Sequence, residues 1–374
     1  MKLIIGADLV PTNVNYELFS AADTTALAGE ELVSLLKCAD YRICNLEVPL
    51  SDQEDPIAKC GPALISPTQT VTGIKALGID MVTIANNHIM DQGVQGFKST
   101  LRTLENNGIA YVGGGKNLNE AIEPAIIHLD GKTIGIYACA EHEFSIAGED
   151  HHGANPFDPL ESPDHVAALK EQCDYVIVLY HGGKEHYRYP SPGLQKICRK
   201  LVEKGADLVL CQHSHCVGCE ERYMGATIVY GQGNFLFNCD DDPMEQTSLL
   251  VQVSDGFSVS YIPLEKTTQG THLAAGETAE QILSDFAARS MEIRDPEAME
   301  QRYNDFADAV RQDYLTQLGG AENLLFRVFN KLLGNRLRRI RNKKRYPKQQ
   351  CLKLRNYIEC EAYRELLLWS LDRE

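Results

Sequence analysis

The chain has 374 residues, 44% of them hydrophobic and 24% charged, and carries a formal net charge of −16. That balance belongs to a globular protein with a sizeable core, and no window approaches the roughly 18 to 20 apolar residues that a bilayer span requires. The acidic excess argues against general nucleic-acid binding by the bulk of the chain.

Met1-Lys2-Leu3-Ile4-Ile5-Gly6 is too short an apolar run for a signal segment. The expectation is therefore a cytoplasmic protein whose twelve scattered cysteines are reduced and largely buried. Residues 2–6 read as a short buried strand with Asp8 at its carboxyl end, where α/β sheets gather ligand-binding groups. A helix over 26–38 leads to a strand over 41–46, which ends in Asn45 and Glu47. A Pro-rich excursion over 48–67 and a helix over 70–77 follow. The strand at 80–85 then ends in Asn86-Asn87-His88. Asp91 opens the next helix, which stops at Asn106-Asn107-Gly108 before a strand over 110–112.

This alternation implies α/β layering. A hairpin over 125–129 and 133–140 turns at Asp130-Gly131 and runs into a polar loop over 141–156. After a helix over 163–172, the strongest strand, 175–180, ends in His181-Gly182-Gly183, with Glu185 and Tyr187 just beyond. A helix over 191–204 and an apolar run over 206–210 lead to His213-Ser214-His215. Strands at 226–230, 247–253 and 257–262 complete the pattern, and from about residue 278 the sequence turns helical and charged. The composition places a main domain at 1–270 and a helical extension at 278–374.

Five strand ends thus carry Asp8, Asn45 with Glu47, Asn87 with His88, His181, and His213 with His215. Each alone has a bland reading: a helix cap, a solvated loop carboxylate, a satisfied core histidine. Gathered on one sheet edge, they point to a shared ligand. On an extended run, side chains two apart share a face, so His213 and His215 can address one point. Carboxylate, amide and imidazole together suit zinc, manganese or iron, and the set is too large for one tetrahedral ion. Two divalent metal ions bridged by a carboxylate, with a water acidified between them, is the natural arrangement. The rival is a structural zinc on His213, His215, Cys216 and Cys219. Its four residues are nearly contiguous, whereas such sites draw ligand pairs from two separated knuckles.

The motifs Gly6-Ala7-Asp8, Asn45-Leu46-Glu47-Val48-Pro49-Leu50, Asn86-Asn87-His88-Ile89-Met90-Asp91-Gln92-Gly93, His181-Gly182-Gly183-Lys184-Glu185, His213-Ser214-His215 and Tyr230-Gly231-Gln232-Gly233-Asn234-Phe235 resemble those of the CapA family. These are poly-γ-glutamate capsule synthesis proteins, related to calcineurin-like metallophosphoesterases. The resemblance runs from about residue 2 to 264, with the motifs in the family's order. It implies a four-layer α/β/β/α sandwich with a dinuclear metal centre, here followed by a C-terminal helical extension.

Carried over, Asp8 and His215 would hold one ion, Asn87, His181 and His213 the other, and Glu47 would bridge. His88 would steady or protonate the leaving oxygen, oriented by Asp91. Asn45, Glu185, Tyr187 and Asn234 would bind substrate. The function implied is a metal-dependent hydrolase of a phosphoester or polymer-linked bond in capsule synthesis. The alternative is a non-catalytic, metal-binding accessory protein of polymer synthesis or export. An anionic or phosphorylated substrate is expected, poly-γ-glutamate among the candidates. Three departures stand out: Val10 where the wider superfamily has His, Ala7 inserted before Asp8, and Gly182-Gly183 where the family often has aromatic residues.

Residues 325–350 hold ten Lys or Arg and no Asp or Glu, which leaves about −26 on the rest. Apolar residues at 325, 328, 329, 332 and 333 have helical spacing. Three roles are open to such a basic amphipathic segment: peripheral membrane contact, nucleic-acid binding, or packing on the acidic domain. No nucleic-acid partner is expected. A second amphipathic stretch, 354–371, carries the only tryptophan, Trp369.

Overall fold

A computed structural model describes residues 1–238, 242–320, 322 and 324–371. The first strands in chain order are β1 (Leu3–Val10), β2 (Tyr41–Leu46), β3 (Met81–Thr83), β4 (Ala110–Val112) and β5 (Gly114–Gly115). Then come β6 (Ala125–Leu129), β7 (Lys132–Ala140), β8 (Gly153–Ala154), β9 (Tyr175–His181), β10 (Leu208–Gln212) and β11 (Val217–Tyr223). The last are β12 (Ala226–Gln232), β13 (Asn234–Phe237), β14 (Thr247–Ser254), β15 (Ser258–Lys266) and β16 (Thr271–Leu273). Helices α1 (Tyr16–Ser20), α2 (Thr24–Lys37), α3 (Val71–Ala76), α4 (Gly93–Asn107), α5 (Leu118–Ala121), α6 (Ser162–Lys170), α7 (Pro192–Glu203) and α8 (Gly276–Glu292) lie between and after them.

Two sheets result. The first runs β16-β15-β14-β1-β2-β3-β4, with β13 also paired to β1, and the second runs β11-β12-β10-β9-β7-β6. β1 to β4 are mutually parallel, as are β7, β9, β10 and β12, while antiparallel strands flank both blocks. Alternation along each strand sorts the side chains into layers. Leu3 and Ile5 of β1, Ile43, Met81 and Val251 meet Ile136, Ile177, Leu179, Leu208 and Val229 of the other sheet in one buried core. Ile4, Cys44 and Val82 face the other way, onto Leu32, Leu36, Ile74, Phe97 and Leu104 of α2, α3 and α4. Val176, Val178 and Val209 of the second sheet pack on Val166, Leu169, Leu194 and Leu201 of α6 and α7. This part of the chain is thus the four-layer helix/sheet/sheet/helix sandwich that the motifs imply.

β1 is longer than the sequence pattern indicates, and Asp8 lies inside it. Ile5 pairs with Ile43 while Asp8 pairs with Asn45, so three steps on β1 match two on β2. The inserted Ala7 is absorbed as a bulge, which brings Asp8 into line with Asn45. Five further strands escaped the pattern, among them the two-residue β5 and β8. β11 carries Glu220, Glu221 and Arg222 at a sheet edge, and β13 and β16 are too short to show a period.

The chain divides into two compact units, Met1–Met299 and Glu300–Glu374. The first unit extends past residue 270, where the composition changes, because α8 lays Ile282 and Phe286 into the inter-sheet core. All eleven described cysteines are free thiols.

Candidate metal centre

The strand ends converge as the sequence pattern requires. Asp8, Asn45, Glu47, Asn87, His181 and His213 are all buried and cluster between the two sheets, with His215 beside them. His181 Nε2 lies 3.0 Å from Asn87 Oδ1, 3.2 Å from Glu47 Oε1 and 3.1 Å from His213 Nδ1. One ring nitrogen cannot serve three such partners at once, so acceptor atoms crowd a single point. On the other side, His215 Nδ1 stands 3.2 Å from Asp8 Oδ2. Glu47, His181 and His213 offer ligand atoms within 4.8 Å of one another, as do Asp8, Glu47 and His215, so Glu47 belongs to both groups.

The donor set fits divalent cations. Asp8 Oδ2 and both oxygens of the fully buried Glu47 receive no hydrogen bond from the described residues. Buried carboxylate oxygens left in that state are costly unless cations compensate them. A third group, Glu185 with His213 and His215, opens outward, since half of the Glu185 side chain is exposed. Among the described residues no such group includes Cys216 or Cys219. Those two thiols are buried, and burial pushes both of them up, Cys216 to about 11. The contiguous structural-zinc reading is set aside.

His213 and His215 reach the cluster by a route the extended-chain argument did not foresee. β10 ends at Gln212, and both histidines adopt left-handed backbone, φ 81° and 53°. That conformation is unfavourable for a non-glycine residue, and such strain gathers at functional sites. Gly231 lies close by, φ 104°; a Cβ there would stand 2.5 Å from Ser214 Oγ and 2.7 Å from the Cys216 carbonyl.

Electrostatics follow the geometry. Burial raises the Asp8 carboxyl, but the adjoining His215 and the charge of His181 outweigh it, and Asp8 is held below the usual carboxylate range. Burial likewise opposes the charge on His215, yet Asp8 and Glu47 push its pKa up to about 10. His181 is raised against burial by Glu47 and Asp8. His213 is lowered well below the ordinary value by burial and by the neighbouring histidine charges.

Two residues expected to bind substrate are used internally. Asn45 donates Nδ2 to Asp8 Oδ1 at 2.8 Å and faces His181 Nδ1 at 3.1 Å, while its Oδ1 accepts from Asn86 Nδ2 at 3.0 Å. Asn234 Oδ1 lies 2.9 Å from His215 Nδ1, and its Nδ2 donates to Glu245 Oε2. The two amides fix Asp8 and His215 in place, as the groups around a metal site do. Tyr187 is buried, its ring 6.0 Å from that of Tyr189. Glu185 Oε1 is 3.9 Å from His213 Nε2, at the mouth of the site.

His88 Nδ1 is 2.6 Å from Asp91 Oδ2, the pairing that the resemblance implies. Lys59 was not foreseen. It enters from the Pro-rich excursion, and its Nζ lies 2.6 Å from Asp91 Oδ1 and 3.4 Å from His88 Nδ1. The Asp91 side chain is fully buried and that of Lys59 nearly so. The Leu64 amide also donates to Asp91 Oδ2. Glu143, from the 141–156 loop, accepts from Asn87 Nδ2 at 3.3 Å and so turns the Asn87 oxygen toward His181.

The family model described as "Bacterial capsule synthesis protein PGA_cap" matches residues 5–239, more than half of the chain. The chain belongs to that family. Similar proteins include the capsule biosynthesis protein CapA of Bacillus anthracis, 28% identical over 205 residues, and the PGA biosynthesis protein CapA of Bacillus subtilis (strain 168), 28% identical over 200 residues. The matches cover 52% of this chain in both cases and 50% and 53% of those proteins, so the chain spans about half the length of the curated relatives it matches. Among solved structures, a hypothetical protein from Thermus thermophilus aligns at TM-score 0.45 and 15% identity, over 71% of this chain and 100% of that one. A phosphatase from Mycoplasma pneumoniae aligns at TM-score 0.41 and 15% identity, over 72% and 90%. At scores this low the likenesses add nothing to the fold described above.

Two outcomes are expected of this PGA_cap-family site. Lys59→Met leaves the buried Asp91 without its ammonium partner and lowers unfolding free energy by about 3 kcal/mol, read from denaturant midpoints. A midpoint unchanged from that of the parent protein would show that the pair carries no such weight. A metal ligand must be a neutral imidazole, and His215 stays protonated up to about pH 10. An ion held by His215 would displace that proton, so its affinity is expected to rise with pH, roughly tenfold per unit for one released proton between neutrality and that value. Calorimetric titration in buffers of different ionisation enthalpy reads the proton release, and uptake without any would contradict it.

Proposed function

We propose that the site is a two-metal hydrolytic centre acting on a phosphoester or polymer-linked bond of an anionic substrate in capsule polymer synthesis. The observation that carries the reading is the crowding of Glu47, Asn87, His181 and His213 about one point, with Asp8 and His215 about a second that shares Glu47. In this reading Asp8 and His215 hold one divalent ion, Asn87, His181 and His213 the other, and Glu47 serves both. Such ions, zinc, manganese or iron, acidify a water molecule and draw charge from the bond to be cleaved.

The chain's own residues do the rest. Asp91, held by Lys59 and the Leu64 amide, fixes His88 through Nδ1 and leaves the other ring nitrogen to give a proton to the departing oxygen. Asn45 and Asn234 keep Asp8 and His215 in place, and Glu143 keeps Asn87 turned inward. Glu185 stands at the mouth and selects what enters. The family description and the names of the Bacillus proteins make poly-γ-glutamate, or a phosphorylated precursor of such a polymer, the first substrate to try.

A second reading has one observation in its favour. Val10, buried at the end of β1, offers no ligand where a histidine would complete the Asp8 side. A metal-binding accessory protein without turnover would need no more than the residues present.

The test is turnover of an aryl phosphate by the purified protein supplied with zinc, manganese or iron. Activity that disappears in the His181→Ala/His213→Ala variant supports the hydrolase, and no turnover above that variant with any of the metals leaves the accessory reading. Within the hydrolase reading, His88→Ala lowers kcat by about 10²–10⁴ on an alkyl phosphate and far less on a nitrophenyl phosphate, whose leaving group needs no proton. Equal losses on both would remove His88 as the proton donor.

A further inference from the structure

The second unit, Glu300–Glu374, has its burial inverted. Helix α9 (Pro296–Gln317) leads into α10 (Leu324–Leu332), α11 (Arg336–Arg345), α12 (Lys348–Glu359) and α13 (Glu361–Leu371). α10 buries Asn330, while Leu324, Leu325, Val328, Phe329 and Leu332 are each at least half exposed. α11 buries Asn342 and exposes Ile340, and α13 exposes Leu366, Leu368 and Trp369. A helix in water shows the opposite pattern.

The cause is local. Asn330 Nδ2 donates to Asn335 Oδ1 at 2.8 Å, and Asn330 Oδ1 accepts from the Arg338 amide at 3.0 Å. The Arg341 guanidinium lies over the Phe326 ring, 4.7 Å from its centre. The side of α10 that bears Phe326 and Asn330 is therefore turned to α11. At about 100° per residue, Leu325, Val328, Phe329 and Leu332 form a stripe on a different side.

Charge narrows the choice of what covers that stripe. Arg338 is engaged by Asp313 and Glu322, at 2.6 and 2.9 Å, and Arg341 by Glu322 at 2.6 Å. Arg336, Arg339, Lys343 and Lys344 are exposed and make no ion pair among the described residues. A soluble polyanion would neutralise these cations and leave the stripe in water. A second copy of the chain would cover the stripe and bring two sets of free cations together. An anionic bilayer interface takes both, apolar side chains among the acyl chains and cations at the headgroups. Among the described residues no helix is long and apolar enough to cross a membrane, so the contact is one of lying on the surface.

We propose that the 300–374 unit docks the protein on an anionic membrane surface, through the apolar stripe of α10 and the unpaired cations of α11. The test is flotation of the full chain with vesicles of phosphatidylcholine alone and of equal parts phosphatidylcholine and phosphatidylglycerol. Two variants change only exposed residues: Leu325→Gln/Phe329→Gln and Arg339→Glu/Lys343→Glu. The chain is expected to float with the mixed vesicles, with each variant bound at least about tenfold more weakly. Three results would overturn the proposal. One is no flotation with the mixed vesicles. Another is undiminished binding of the Leu325→Gln/Phe329→Gln variant, which would make the segment a polyanion patch. The third is a dimer that this variant dissolves while vesicle binding is absent, which would make the stripe a self-association face.

Discussion

Glu47 is a carboxylate with no exposed surface and, among the described residues, no hydrogen bond to either oxygen, and much of the first unit makes that state tolerable. Removing such a charge from water costs several kcal/mol unless cations and dipoles answer it. His181 answers at 3.2 Å, and Asp8, the next acid, is answered by His215 at the same distance. The raised pKa values of both histidines express the same balance, since their protons substitute for a cation. A chain that needed only a stable core would replace this group with apolar side chains, so its retention speaks for a ligand.

The sandwich supplies the rigidity that such a cluster needs. β1, β2 and β3 bring Asp8, Glu47 and Asn87 to one edge of the first sheet, and β9 and β10 bring His181, His213 and His215 from the facing edge of the second. The cluster draws side chains from both sheets, and the inter-sheet core of Ile5, Ile43, Leu179 and Val251 fixes their separation. Fine adjustment is local. The bulge at Ala7 realigns Asp8, and left-handed backbone at His213 and His215 turns two rings toward different partners. His213 accordingly faces His181, and His215 faces Asp8.

The clustered residues were legible in the sequence because each lies at or just beyond the end of an unmistakable apolar run, from Ile43 before Glu47 to Val178 before His181. The layer order was legible for the same reason, since alternation and helix spacing are local properties. Lys59 and Glu143 were not, because each comes from an irregular stretch whose path is set by contacts distant in sequence. Asn45 and Asn234 were placed near the site, but their contacts with Asp8 and His215 were not foreseen, as hydrogen-bond partners cannot be read from spacing. The extended reading of His213-Ser214-His215 failed at backbone level, where β10 stops one residue before the first histidine. The basic segment showed its charge in the sequence, but only the structure shows that its apolar stripe faces away from α11.

The account stands or falls on whether the Glu47 cluster holds two cations. Elemental analysis of the purified chain after dialysis against a divalent metal, set beside Glu47→Gln, measures this directly. Two ions per chain in the parent protein, with both weakened by Glu47→Gln, are predicted. A parent chain that retains no divalent ion, or one that retains as much without the Glu47 carboxylate as with it, would contradict a shared bridging ligand.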